Sequence, residues 1–160
     1  MNESKQKTVY FAAGWFSPAQ EAAYADALAA IKANQTIDVK NSYIPLEHQY
    51  RGLRVDEHPE LLEDKVWAQA TFNGDVIGIK SSDLFLCTYL PEEEDIGCGV
   101  EIGLAKAYGK YIVLVIPDED YGKSINLMSW GSADIVLKMS DLKAFDFNKP
   151  YFDFYPGAVY

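Results

Sequence analysis

The apolar residues of this chain are concentrated in short continuous runs, which are separated by longer segments where apolar positions recur about every three or four residues. A short continuous apolar run is typical of a strand buried on both faces, whereas the longer spacing is typical of a helix with one buried face. Five runs are predicted to be strands: residues 8–13, 36–39, 84–90, 111–116 and 135–137.

The segments between these runs are predicted to be mainly helical. The first helix begins with Ser17 as its N-cap and Pro18 at its first helical position, and it ends at Asn34. Further helices are predicted at residues 59–70, with another turn or two at 75–79, at 95–108 and, more briefly, at 124–130.

Strands that alternate with helices along a chain build a mostly parallel sheet with helices on both faces. The predicted fold is therefore a single α/β domain, residues 1–160, with a flavodoxin-like, doubly wound sheet of five parallel strands. Ligands of such folds bind outside the carboxyl ends of the strands. The loops expected at that edge are residues 14–16, 91–99 and 117–126.

The least regular segment is residues 41–57, which carries Tyr43, His48 and Gln49. A long loop inside a compact domain is often functional. A surface excursion that packs its own tyrosines explains the segment equally well, so both interpretations stay open.

The charge of the chain limits its partners. It has 160 residues, 49% of them hydrophobic, and a formal net charge of −10. A nucleic-acid polymer or an anionic membrane would require basic patches, so neither is expected as a partner. Neutral nucleosides and heterocyclic bases remain possible ligands.

The sequence contains two cysteines, Cys87 and Cys98, and their positions do not suggest a disulfide framework. This is what we expect of a protein in the reduced cytosol. The chain starts with polar residues and shows no signal peptide. Its apolar runs are far shorter than the roughly 20 residues of a membrane helix. A cytoplasmic location is expected.

The common cofactor and metal motifs are absent from the sequence. The spacing of Gly97, Gly99 and Gly103 is one residue too long for the dinucleotide fingerprint, and the phosphate-loop lysine motif is missing. His48 and His58 have no matching cysteine pair, which argues against a zinc site. The Gly-x-Ser-x-Gly elbow of serine hydrolases is also missing. We therefore expect neither a cofactor nor a metal.

Carboxylates are the remaining candidates for chemistry. Glu101 is predicted in the first turn or two of a helix, where the positive helix end favours the ionised form and makes Glu101 a candidate nucleophile. Complementing the helix dipole is the alternative role. Asp95 is either the N-cap of that helix or a ligand contact. With Asp75, these residues suit a retaining glycosyl displacement, which uses two carboxyls roughly 5 Å apart.

The chain resembles the nucleoside 2-deoxyribosyltransferases of lactic-acid bacteria, the type that exchanges both purines and pyrimidines. The resemblance extends from Thr8 to Tyr160. Seven stretches carry it: residues 10–16, 41–46, 54–60, 93–97, 115–123, 125–131 and 154–160.

The resemblance implies roles for individual residues. Glu101 matches the nucleophile that forms a covalent deoxyribosyl-enzyme, and Asp75 matches the proton donor beside the leaving base. Asp95 matches a residue that holds the sugar. Tyr10 and the C-terminal Tyr160 match groups that orient the nucleophile.

The substrate contacts implied by the resemblance come from several segments. Asn126 matches a residue that binds the 5′-hydroxyl from a neighbouring subunit, with Met128 close by, and Gln49 matches a base contact. Trp15 and Phe16, in the first matching stretch, are also expected to contact substrate. The family is hexameric with sites shared between subunits, so a homo-oligomer is expected.

The sequence departs from the family pattern at a few positions. Ala12, a further expected substrate contact, stands where the family usually has glycine, so its methyl group would narrow the base pocket. Val100, Ile102 and Lys106 also differ from the usual residues around the nucleophile. None of these changes removes a matched catalytic group.

The predicted function is transfer of 2-deoxyribose between purine and/or pyrimidine bases through a covalent glutamate intermediate. Hydrolysis of deoxynucleosides by the same nucleophile is the nearest alternative, and a nucleoside-binding module without turnover is another. A receiver-like signalling domain ranks last, because the first strand ends in Ala12, Ala13 and Gly14 instead of a phosphoacceptor aspartate.

Overall fold

The computed structural model describes residues 6–160, which form four strands and five α-helices. The strands are β1 (Val9–Ala12), β2 (Leu84–Thr88), β3 (Tyr111–Ile116) and β4 (Ile135–Lys138). The helices are α1 (Pro18–Ala33), α2 (Lys65–Ser81), α3 (Ile96–Ala107), α4 (Leu127–Ser132) and α5 (Met139–Leu142).

All four strands are parallel and lie in the order β1-β2-β3-β4. Alternate residues of β1 serve opposite faces of the sheet. Phe11 packs in a core with Ile31 of α1, whereas Tyr10 packs in a second core with Ile79 of α2 and Ile102 of α3. The prediction of a parallel α/β sheet with helices on both faces is confirmed.

The prediction of a fifth strand at residues 36–39 is wrong for this structure. Ile37 forms one isolated parallel bridge with Lys7, and the chain next touches β1 at a bridge between Tyr43 and Tyr10. Between the two bridges, the Asp38 carboxylate accepts a hydrogen bond from the backbone N–H of Asn41 and caps a 3₁₀ turn. That local bond replaces the ladder that a strand would need, since aspartate side chains compete with sheet pairing for backbone groups.

Helix α2 is longer and more regular than its sequence suggests. Asp64 caps it by accepting from the backbone N–H groups of Val66 and Trp67, and the helix continues without interruption through Gly74 and Gly78 to Ser81. Pro59 instead opens a separate 3₁₀ turn. The helix tolerates these glycines because it packs closely against another part of the chain.

The close neighbour of α2 is the ring of Tyr43. A Cβ atom built at Gly78 would lie 2.5 Å from Cγ of Tyr43, closer than carbon atoms approach in proteins. At Gly103 of α3, by contrast, nothing in the described part of the chain lies within 4 Å of such an atom. Gly78 therefore makes room for Tyr43, whereas Gly103 is exposed and unconstrained.

Gly78→Ala is expected to lower the free energy of unfolding by about 1–3 kcal/mol, because overpacking outweighs the gain in helix propensity. Gly103→Ala is the matched control, and it is expected to raise stability by about 0.5–1 kcal/mol. Urea denaturation of both variants measures the difference. Equal stabilisation by the two substitutions would contradict the contact between α2 and Tyr43.

The aromatic C-terminal tail is only partly packed on its own domain. Phe145, Phe147 and Tyr155 are buried, whereas Phe152 and Phe154 are more than half exposed. The Tyr155 hydroxyl donates to the backbone carbonyl of Lys123 and accepts from the N–H of Gly122. Val159 then forms an isolated parallel bridge with Ile125, so the tail ends beside the loop that precedes α4.

None of the helices in residues 6–160 combines the length and the apolar character that a membrane span requires.

Candidate active site

Glu101 and Tyr10 form the centre of the candidate site. Tyr10 is completely buried on β1, and its hydroxyl donates a hydrogen bond of 2.6 Å to Oε1 of Glu101 on α3. Burial, together with the nearby charge of Glu101, raises the pKa of Tyr10 far above its ordinary value. Tyr10 therefore stays protonated and serves only as a donor to Glu101.

The ionisation of Glu101 is governed by burial. Helix α3 begins at Ile96, which puts Glu101 in its second turn, beyond the reach of the positive helix end. Burial raises the pKa of Glu101 to about 7; the Tyr10 hydrogen bond opposes this rise, and the charges of Asp75 and Asp95 add to it. Burial therefore opposes the ionised form of Glu101, which the position near the helix start was predicted to favour.

Asp75 is a second carboxyl with a raised pKa. It lies on α2, and burial raises its pKa to about 6, opposed by a hydrogen bond from the Tyr43 hydroxyl and by His48. The Tyr43 hydroxyl lies 3.3 Å from Oδ1 of Asp75. Each carboxyl thus has its own tyrosine donor, and the charge of Asp75 acts on Glu101. Perturbed carboxyls of this kind are typical of catalytic sites.

A cavity of about 270 Å³ has Asp75 in its wall. Trp15 and Phe16 contribute aromatic rings whose centroids are 5.4 Å apart, and Trp67 and Gln49 also line it. Oε1 of the buried Gln49 accepts a hydrogen bond from the backbone N–H of Val55, so its amide is held by its own loop. The cavity has the size and the flat apolar walls that a heterocyclic ring requires.

A second cavity, of about 380 Å³, lies between α3 and α4 and is lined by Asp95, Asn126 and Met128. Asp95 is the N-cap of α3, and its Oδ1 accepts from the N–H of Cys98 at 2.7 Å. Asn126 caps α4 by accepting from the N–H of Met128. The described residues that line this cavity do not include Glu101. Within one chain, Asn126 and Met128 therefore line the same cavity as Asp95, whereas the candidate nucleophile Glu101 does not line it.

A family model described as nucleoside 2-deoxyribosyltransferase matches residues 9–128, which include β1 through the start of α4 and therefore Tyr10, Asp75 and Glu101. The chain belongs to the nucleoside 2-deoxyribosyltransferase family. The prediction of the family from the sequence is confirmed.

Two relatives within this family are similar over almost their whole lengths. The nucleoside deoxyribosyltransferase of Lactobacillus leichmannii is 63% identical over 155 residues, which are 97% of this chain and 99% of that protein. The nucleoside deoxyribosyltransferase of Lactobacillus johnsonii is 63% identical over 148 residues, which are 92% of this chain and 99% of that protein. The chain is thus an enzyme of this family, as predicted.

A solved structure has the same fold. The 2-deoxyribosyltransferase of Bacillus psychrosaccharolyticus superposes with a TM-score of 0.73, and the match covers 92% of this chain and 98% of that one. Its sequence is 21% identical, so this likeness concerns the fold alone.

Two residues that the deoxyribosyltransferase resemblance placed at the site do not contact Glu101 or the aromatic cavity within this chain. The Tyr160 hydroxyl donates to Oε1 of Glu94 at 2.9 Å, and Glu94 also accepts from Tyr89. The hydroxyl of Tyr160 is therefore not directed at Glu101. Ala12 is completely buried in the core and is not among the described residues that line the aromatic cavity.

The sequence pattern gave no role to two polar residues at this deoxyribosyltransferase site. Tyr43 was predicted only as part of an irregular loop, although the spacing of Gly74 and Gly78 on one helix face signals that something approaches closely. The second residue, Gln20, lies in the first turn of α1. Its Oε1 accepts from the N–H of Phe16, and its Nε2 donates to the carbonyl of Glu93. Gln20 thus ties together two loops at the carboxyl edge of the sheet.

Proposed function

We propose that this enzyme transfers 2-deoxyribose from one nucleobase to another by retaining double displacement. Glu101 attacks C1′ of the donor nucleoside and forms a glycosyl ester while the bond from C1′ to the base nitrogen breaks. Asp75 gives its proton to the departing base. An incoming base then attacks C1′, releases Glu101 as a carboxylate and returns a proton to Asp75. Two inversions at C1′ retain its configuration.

The observation that carries the proposal is a pair of carboxyls, Glu101 and Asp75, each held by its own tyrosine hydroxyl in a chain of this family. Glu101 has a pKa of about 7 and is ionised in a large share of molecules at neutral pH. Asp75 has a pKa of about 6 and holds a proton in a useful fraction of them. Both carboxyls therefore titrate close to neutral pH, where each is present in its ionised and its protonated form, as an exchange of protons with the base requires.

The aromatic cavity supports nucleobases as the leaving and entering groups. Asp75 lies in its wall, beside Trp15, Phe16 and Gln49. Flat apolar side chains favour flat heterocycles of either size, and the Gln49 amide offers a donor or an acceptor to a base edge. These features fit both purines and pyrimidines. The absence of a phosphate-loop motif in the sequence favours nucleosides over nucleotides.

We also propose that the complete site is shared between subunits of a homo-oligomer, as in the hexameric family pattern. The rim of the cavity that contains Asn126 is unusually apolar, with Ile96 87% and Met128 76% exposed. Apolar surface of this kind is normally covered by a partner. A neighbouring copy would cover it and bring its own Asn126 to the sugar. Sedimentation equilibrium gives the subunit number, and a monomer would contradict this arrangement.

Incubation of the purified enzyme with 2′-deoxyuridine and adenine is expected to produce 2′-deoxyadenosine and uracil in equal amounts. Liquid chromatography measures both products. Free deoxyribose without base exchange would instead identify a hydrolase. Tight binding with unchanged substrate after long incubation would identify a binding module. Either result would overturn the proposed transfer.

A further inference from the structure

Tyr43 is anchored next to Tyr10 by its backbone. Its N–H donates to the carbonyl of Val9 and its carbonyl accepts from the N–H of Phe11, both at 2.9 Å. These two bonds fix Tyr43 along the free edge of β1. Its ring consequently stacks on that of Tyr10, with centroids 5.3 Å apart and planes 8° from parallel.

The position of the Tyr43 ring is fixed from the other side by α2. Gly74 and Gly78 lie four residues apart on one helix face, and both face this side chain. The Tyr43 ring lies against Gly78, and a Cβ atom built at Gly78 would be 2.5 Å from this ring. A Cβ atom built at Gly74 would be 3.0 Å from the Tyr43 hydroxyl oxygen. The hydroxyl thereby reaches Asp75, the residue after Gly74, at 3.3 Å from Oδ1.

The two stacked tyrosines thus divide their hydroxyls between the two carboxyls. Tyr10 donates to Glu101, and Tyr43 donates to Asp75. Burial and the charge of Asp75 raise the pKa of Tyr43 beyond its ordinary value, so it remains a neutral donor. A hydrogen bond to Oδ1 occupies one oxygen of the carboxyl and leaves Oδ2 to carry a proton.

We propose that Tyr43 is a positioning residue that holds Asp75 by its Oδ1 atom, so that Oδ2 exchanges the proton with the base. This inference rests on the proposed function, because it assigns to Tyr43 the orientation of the acid in that reaction. Tyr43 acts through Asp75 and does not take part in the attack on C1′. Its contribution is therefore confined to the protonation of the base.

The groups that face Asp75 come from several elements. Tyr43 and His48 lie in the loop after α1, with their rings stacked at 4.4 Å. Tyr10 comes from β1 and Glu101 from α3. His48 and the Tyr43 hydrogen bond lower the pKa of Asp75 against the effect of burial. Loss of the Tyr43 hydroxyl therefore raises the pKa of Asp75 further above its present value of about 6.

The first test measures this directly by NMR titration of Tyr43→Phe enzyme labelled with ¹³C at aspartate carboxyls, with Asp75→Asn used for assignment. We expect the Asp75 titration to move to higher pH. Tyr24→Phe is the matched control, because Tyr24 stacks on Phe11 at the opposite face of the sheet, and it is expected to leave the titration unchanged. An unchanged titration in Tyr43→Phe would overturn the proposal without bearing on the transfer reaction.

The second test compares two donors in single-turnover release of base. Uracil from 2′-deoxyuridine leaves with a proton, whereas the cationic base of 7-methyl-2′-deoxyguanosine leaves as a neutral molecule without one. Tyr43→Phe is expected to slow the first donor about tenfold, the size of one ordinary hydrogen bond, and to spare the second. Tyr10→Phe, which acts on the nucleophile, is expected to slow both donors by similar factors.

Equal slowing of both donors by Tyr43→Phe would indicate a purely structural role, and no slowing of either would indicate no role. Both results overturn the proposal. Failure of the proposed function is distinguishable, since wild-type enzyme would then form no 2′-deoxyadenosine from 2′-deoxyuridine and adenine, whereas the NMR titration could still respond to Tyr43→Phe.

Discussion

Replacement of Glu101 by alanine is expected to abolish deoxyribose transfer, with a loss in kcat of about 10⁴-fold or more. The substitution removes the carboxylate that would attack C1′ and leaves the Tyr10 hydroxyl without its acceptor. Single-turnover release of uracil from 2′-deoxyuridine measures the loss at the first chemical step. The loss is expected with every donor, including 7-methyl-2′-deoxyguanosine, because all of them require the nucleophile.

Glu101→Gln separates loss of the nucleophile from loss of the fold. In the folded protein burial raises the pKa of Glu101 to about 7, whereas an exposed glutamate has a value near 4.5. The folded state therefore binds the proton more tightly, and stability falls as the pH rises between these two values. Glutamine removes this penalty and can still accept from Tyr10.

We therefore expect Glu101→Gln to be inactive and yet more stable than the wild type by about 1–3 kcal/mol near pH 8, with a smaller difference near pH 5.5. Urea denaturation at the two pH values gives the comparison. Substantial transfer by either Glu101 variant would refute the assignment of the nucleophile. A stability difference that does not change with pH would refute the raised pKa.

Asp75→Asn is expected to slow transfer from 2′-deoxyuridine by about 10²–10⁴-fold, the usual contribution of general acid–base catalysis. Asparagine keeps the shape of the side chain and can still accept from Tyr43, but it has no acidic proton to give to the departing base. The defect is expected to fall mainly on kcat, because the aromatic walls of the cavity are unchanged.

The donor comparison identifies which step is lost in Asp75→Asn. Base release from 7-methyl-2′-deoxyguanosine needs no proton, so it is expected to stay close to the wild-type rate. Asp26→Asn provides a matched control, since Asp26 is exposed on α1 and its substitution should leave both donors unaffected. If Asp75→Asn slowed both donors equally, Asp75 would not be the proton donor.

Local signals in the sequence predicted several elements accurately. Ser17 caps α1 by accepting from the N–H of Gln20, as the spacing of the two residues indicates. Asp95 caps α3 in the same way, which fulfils one of its two predicted roles. Caps and buried strands are set by residues close together in the chain, so their signals can be recognised without a structure.

Two predictions of secondary structure failed, one because of a local side-chain hydrogen bond and one because of a distant contact. The apolar residues at positions 36–39 suggested a strand. Instead, the carboxylate of Asp38 caps a 3₁₀ turn within the segment that lies beside β1. The separate helical segments predicted at residues 59–70 and 75–79 implied a break in helix α2, but the ring of Tyr43 packs on the glycine face and the helix continues. In the first case a side chain of the segment competes with the sheet for backbone groups, and in the second tertiary packing overrides a weak local preference.

The pattern of residues was enough to identify the α/β class and the family, and to single out Glu101 and Asp75 as the carboxyls to consider. How these carboxyls ionise, and that Tyr43 holds Asp75, became visible only in the tertiary structure, whereas Tyr10 was already expected to orient Glu101. Tyr10 and Glu101 are 91 positions apart in the chain, and Tyr43 and Asp75 are 32 apart. A helix position indicated an ionised Glu101, but burial raises its pKa to about 7. Desolvation depends on all the atoms that surround a group in space, and the order of residues along the chain does not specify them.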